Sequence, residues 1–228
     1  NSTSERVNIV IKQETDSTLA APNSPANFGF SPQVQFQVHD TMASNYLDPL
    51  FSGKTFTNEE LAGQIAAITG EVPPGLTGEN EDGEPVEDFS ITFSRVRPIA
   101  VEFEDQKIRV VVSGQEFAQG GQKIKAGMKI IITFKVSDDD GQLKFGRDGE
   151  VEFEFLDPSR TTPSLIAFRR LLDENLNKDL DTEDTQTDIP DNFIPIDRVP
   201  ELAEIPIAKK LRLVQFRSDQ GWLYLGWN

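Results

Sequence analysis

Cysteine is absent from this chain, and histidine occurs once, at His39. Without thiols there is no disulfide, no thiolate nucleophile and no cysteine-held zinc or iron–sulfur centre. With a single imidazole, a multi-histidine metal site is excluded, and a Ser-His-Asp relay has only His39 to be built on. Long apolar runs are missing as well: no stretch approaches the roughly 20 residues that a membrane-crossing helix needs. Basic residues are scarce, 22 against 38 acidic ones, and the net charge of -16 repels phosphodiesters and anionic lipid headgroups at long range. Nucleic acid is therefore not an expected partner. Neither an initiator methionine nor a charged-then-apolar leader stands at Asn1, so the sequence reads as a processed or excised piece.

What is present suffices for one core. At 228 residues, folding removes about 70–75% of the unfolded chain's surface from water, and the chain reads as one α+β domain over 1–228. Within it, 1–38 carries N-terminal strands and a loop, 39–88 short helices and an acidic connector, and 89–228 a sheet, a long helix and a closing hairpin. Alternation predicts strands at Val7–Ile11 and Val34–Val38. From Asp40 a short helix follows until Pro49 and Gly53 interrupt it, and the capping box Thr57-Asn58-Glu59-Glu60 opens a second over Asn58–Ile68. Gly78–Asp88 is an acidic connector.

From Phe89 to Phe155 apolar and polar residues alternate, punctuated by Gly120-Gly121, Asp140-Gly141 and Asp148-Gly149 turns, which is the pattern of an antiparallel meander. One strand, Lys123 to Val136, is expected to be unusually long. Thr162-Pro163 then caps a helix in which Leu165, Phe168, Leu172, Leu176 and Leu180 fall at spacings of three and four. After the acidic Asp179–Asp191 and a proline-punctuated stretch, Leu211–Phe216 and Trp222–Trp227 form the closing hairpin.

No catalytic or metal constellation stands out. Ser52-Gly53-Lys54-Thr55 has the tail of a phosphate loop but lacks its front, since Asp48 occupies the place of the first glycine. Asn80–Glu84 and Asp138-Asp139-Asp140-Gly141 offer oxygen ligands without the spacing of a calcium loop, and turn geometry explains them equally. His39 before Asp40 reads as a helix-start residue. Trp222, Tyr224 and Trp227 could line a carbohydrate platform or close a core. The expectation is a protein that is not an enzyme and holds no metal or cofactor.

The order of these elements, a helix (Asn58–Ile68), a long meander (Phe89–Phe155), a second helix (Thr162–Leu180) and a returning extended segment (Pro195–Trp227), resembles one half of the tubular lipid-binding superfamily. The resemblance implies a strongly curved antiparallel sheet wrapped around the amphipathic helix, with an apolar cleft between them and an extracytoplasmic or bacterial-envelope setting. By position it places Leu165, Phe168, Leu172 and Leu176 opposite Met128, Ile130, Ile132, Phe134, Phe153 and Phe155 as ligand-binding residues. The function it implies is non-enzymatic binding of a hydrophobic or lipid-like molecule. The alternative is a structural or protein-interaction module of a larger secreted or surface polypeptide, in which the same side chains simply fill the interior, each large one stabilising by roughly 1.5–3 kcal/mol.

Overall fold

The computed structural model describes residues 19–25, 34–69, 88–119, 122–139, 142–157, 159, 161–177, 187–188 and 212–228. Strand β1 (Val34–His39) leads directly into helix α1 (Asp40–Phe51). His39 is the N-cap: its backbone is extended and its Nδ1 accepts the Thr41 amide at 3.2 Å, satisfying one donor that a helix start leaves open. α1 carries Pro49 within it and ends at Phe51, two residues before the expected break at Gly53. A proline so near the C-terminus removes one intrahelical bond, the Ser52 amide still reaches the Asp48 carbonyl at 2.9 Å, and burial of Phe51 offsets the loss.

After a turn come β2 (Thr55–Thr57) and α2 (Asn58–Thr69), joined by the expected capping box. Thr57 Oγ1 accepts the Glu60 amide at 3.3 Å, while Glu60 Oε2 accepts the Thr57 amide at 2.9 Å.

The meander consists of β3 (Phe89–Phe93), β4 (Ile99–Glu104), β5 (Lys107–Gln119), β6 (Gln122–Ile124), β7 (Met128–Asp139), β8 (Gln142–Arg147) and β9 (Glu152–Phe155). Every pairing is antiparallel, and β5 is the spine. Along one of its edges lie β4 and then β3; along the other lie β7 and β6. The far edge of β7 is shared by β8 and β9. A two-residue strand β10 (Thr187–Asp188) pairs with β8, and β2 pairs with β3, so the sheet is open, ending on β10 and β2.

The strand expected from Lys123 to Val136 is instead two, broken between Ile124 and Met128. There the Leu156 amide bonds the Gly127 carbonyl at 2.9 Å and the Leu156 side chain lies over Gly127, where a Cβ would leave no room. Conversely, β5 extends well past Val112. Thr92 pairs with Glu116 and Phe93 with Gly114, so Gln115 is an inserted bulge residue that turns Gly114 and Phe117 toward the same side of the sheet.

Helix α3 (Pro163–Asn177) starts on Thr162, whose Oγ1 accepts the Leu165 amide at 3.3 Å. Leu165, Phe168 and Leu172 form its buried stripe, with Ile166, Arg169 and Arg170 exposed. The closing hairpin forms as β11 (Leu213–Asp219) and β12 (Trp222–Trp227), and it pairs with β1 in a separate three-stranded sheet ordered β1-β12-β11. Residues 178–180 of the expected helix, the expected strand at Val7–Ile11 and most of both acidic connectors lie outside the described residues.

Two covers sit on one face of the large sheet. Phe51 of α1 and Phe168 and Leu172 of α3 join Phe93, Phe117, Met128, Ile130, Val151 and Phe153 in one buried cluster. Leu213, Leu223, Leu225 and Trp227 of the small sheet meet Phe103 and Leu143 in a second.

Candidate functional site

Strand register determines what the covered face presents. Across β4, β5 and β7, Val101, Val110 and Ile132 stand directly opposed; the row Ile99, Val112, Ile130 lies on one side of them and Phe103, Ile108, Phe134 on the other. Directly opposed residues share a face. The flanking rows run under the covers, Ile130 into the helical cluster and Phe103 into the small-sheet cluster. Val101, Val110 and Ile132 are only half-buried, as are Ile99 and Val112 in one flanking row and Ile108 and Phe134 in the other. An apolar strip left part-open in the middle of a sheet, with cover on both flanks, is a candidate binding surface.

One end of the strip is polar. Phe134 is opposed by Arg147 on β8, and the Phe134 ring stacks on Phe145, centroids 4.9 Å apart and planes 13° apart. Arg147 Nη2 donates to Asn177 Oδ1 in the last turn of α3, and Arg147 Nε donates to the Gly149 carbonyl at 3.3 Å. The same Asn177 oxygen accepts the Val151 amide at 2.8 Å, tying the helix end to the chain between β8 and β9. Burial lowers the Arg147 pKa, and the nearby Glu150 carboxylate acts in the opposite direction.

The residues expected to bind ligand divide. Leu165, Phe168, Leu172, Met128, Ile130 and Phe153 are buried. Of these, Phe168, Leu172, Met128, Ile130 and Phe153 pack in one cluster that Ile132 and Phe155 flank. The Phe117 and Phe168 rings, 6.0 Å apart, carry that packing from the sheet to α3. Phe134 stands apart, on Phe145. Phe155 is half-buried beneath Arg169, whose guanidinium carbon is 5.8 Å from the ring centre. The Leu176 side chain lies outside the described residues. Water therefore reaches Ile132, Phe134 and Phe155 among the described members of the set.

Sequence reading passed over Val101, Val110 and Arg147 as site residues. Alternation placed Val101 and Val110 on faces of their own strands, but only the register aligns them with Ile132. For Arg147 the available signal was its spacing of two and four from Phe145 and Leu143, which sets it on their face.

The remaining candidates have structural roles. In the Ser52–Thr55 turn the Gly53 amide bonds the Ser94 carbonyl at 3.1 Å and Lys54 Nζ bonds the Pro49 carbonyl at 3.0 Å, so these donors hold the turn. His39 is buried edge-on to Trp222, with Nδ1 3.0 Å from the Asp40 carboxylate. Desolvation raises the Asp40 pKa, His39 and Arg97 opposing it. Tyr224 and Trp227 are 1% and 0% exposed, because β12 is the central strand of its sheet and both its faces are covered. The aromatic platform is thus not formed; Trp222 alone of the three reaches the surface, its Nε1 donating to Asn23 Oδ1 at 2.8 Å. Among the described residues no three acidic or histidine side chains come together as a metal site, and no helix is long and apolar enough to cross a membrane. Asn80–Glu84, Asp140 and Gly141 lie outside them.

No family model, curated protein or solved structure matches the chain.

Proposed function

We propose that this protein binds a hydrophobic or lipid-like ligand without catalysis, on the sheet beside α3, in an extracytoplasmic or envelope setting. The observation that carries the reading is the half-buried row Val101, Val110 and Ile132, in which Ile132 packs against the helical cluster and Val101 against the small-sheet cluster while Val110 joins neither. A folded chain gains roughly 1.5–3 kcal/mol from burying each large apolar side chain completely, so a row left part-open at the centre of a sheet favours an apolar guest over a solid interior. In this reading the large sheet bends around α3. The break between β3 and β4 falls opposite Ser113 of β5 and that between β6 and β7 opposite Gln115 and Glu116, on either side of Gly114, a place where a sheet can fold over.

The ligand lies alongside α3 and not beneath it, since the buried side chains of Phe168, Leu172, Met128 and Phe153 occupy that space. The same packing favours the second reading, a structural or protein-interaction module with no small-molecule ligand. Native mass spectrometry of the purified protein together with titration of a fluorescent acyl probe separates the two. The expected result is co-purifying lipid and saturable probe uptake that Val110→Trp abolishes with the far-UV circular dichroism unchanged. Absence of both lipid and uptake in the unsubstituted protein overturns the ligand reading and leaves the second.

A further inference from the structure

Residues 19–25, Leu-Ala-Ala-Pro-Asn-Ser-Pro, form a segment without helix or strand that reaches from α1 to the start of β12, and all seven are exposed. Two carboxamides fasten it. Asn45 of α1 grips the backbone of Leu19: its Oδ1 accepts the Leu19 amide at 2.8 Å and its Nδ2 donates to the Leu19 carbonyl at 3.0 Å. Four residues on, Asn23 Oδ1 accepts from Trp222 Nε1 at 2.8 Å, and Asn23 Nδ2 donates to the Gln220 carbonyl at 3.3 Å. The receiving groups stand on fixed elements. Asn45 is in the body of α1, Gln220 is in the turn between β11 and β12, and the Trp222 ring meets His39 edge-on, centroids 5.0 Å apart. Met42 and Tyr46 share the Asn45 side of the helix by spacing; they are 38% and 50% exposed and are of residue types enriched where proteins meet partners.

We propose that this corner of α1 and β12 is a recognition site for a linear peptide segment of another protein, and that residues 19–25 occupy it in cis until such a segment displaces them. The Asn45 contact is to backbone, so it accepts any residue except proline, which has no amide hydrogen. The Trp222–Gln220 pair needs an acceptor and a donor on one side chain, which Asn and Gln supply. The partner segment therefore carries a non-proline residue followed four places later by a carboxamide. Neutral hydrogen bonds in water contribute little net, and none of the seven residues is buried, so the segment stays in place through its covalent attachment, which raises its effective concentration to about millimolar. A partner that adds apolar contacts to Met42 and Tyr46 outcompetes it. The assignment holds whether or not the sheet strip takes a ligand.

Titration followed by NMR tests it. The whole chain carrying Asn23→Ala, in which the cis segment is weakened, receives the acetylated, amidated peptide Leu-Ala-Ala-Pro-Asn-Ser-Pro, and the Trp222 indole N–H resonance, assigned by its loss in Trp222→Phe, is followed. The expected result is a saturable shift toward the position seen in the unsubstituted protein. A peptide with alanine in place of its asparagine, or the further substitution Asn45→Ala, weakens binding about 10-fold or more, the loss of one or two hydrogen bonds. Alanine is favoured in helices, so Asn45→Ala leaves α1 formed. The unsubstituted protein needs about 10-fold more peptide, because its own segment competes. No saturable shift, or equal affinity for both peptides, overturns recognition and leaves residues 19–25 as a fixed part of the fold. A concentration-dependent dimer of the unsubstituted protein that Asn23→Ala abolishes overturns the foreign partner and assigns the site to a second copy's segment.

Discussion

Gly114 has no Cβ because Phe117 occupies the space: an added methyl would sit 2.3 Å from the ring. Phe117 is fully buried, so neither group can move aside cheaply, and Gly114→Ala is expected to cost about 1–3 kcal/mol as overpacking, read as a lower denaturant midpoint at unchanged slope. Asp148 poses an electrostatic question on the opposite face, at the edge away from the buried Ala100, Val111 and Ile131. Lys107 Nζ is 2.7 Å and Lys135 Nζ 3.5 Å from its carboxylate, and the hydrogen bond and charge of Lys107 hold its pKa below the usual aspartate range. A folded-state pKa below the unfolded one contributes stability at pH above the unfolded value and loses it as pH falls through the folded one. Acid titration of Asp148→Asn is therefore expected to show a shallower loss of stability below the ordinary aspartate pKa than the unsubstituted protein. The difference should shrink in high salt, because the pair faces solvent.

The two-residue turn Asp105-Gln106 joins β4 to β5 with φ of 43° and 64°, both in the left-handed region that glycine tolerates best. Gln106→Gly is expected to raise stability by roughly 0.5–1 kcal/mol, the penalty of an L side chain there less the entropy that glycine adds to the unfolded chain; thermal melts decide its sign. This hairpin was legible from Asp105-Gln106 between alternating strands, as were α2 from its capping box and α3 from Thr162-Pro163 and the leucine stripe. What escaped has an identifiable cause in each case. The bulge at Gln115 breaks the period of two and hides the second half of β5, and the Gly127–Leu156 contact that splits the expected long strand joins residues far apart in sequence. The candidate strip was half legible: Ile132 and Phe134 stand out by alternation, whereas its outer limits depend on which strand pairs with which.

At the scale of the molecule, two apolar clusters share one sheet. Phe168 belongs to the helical cluster and Leu225 to the small-sheet cluster, so Phe168→Ala and Leu225→Ala, each expected to cost about 2–5 kcal/mol, should add to within roughly 0.5 kcal/mol. Denaturation monitored by tryptophan fluorescence and by far-UV circular dichroism should give coincident transitions for either variant, because β5 and β7 run through both clusters. Coupling well beyond that figure would mean that the strip between them transmits strain. The pairing of Val34 with Trp227 also bears on biosynthesis. Strand β12 is the middle of its three-stranded layer, so among the described residues β1 has no hydrogen-bonding neighbour there until residue 227 has left the ribosome. Throughout elongation the greasy side chains of Phe103 and Leu143 await their lid, and a nascent chain stalled anywhere in the meander would present them to chaperones.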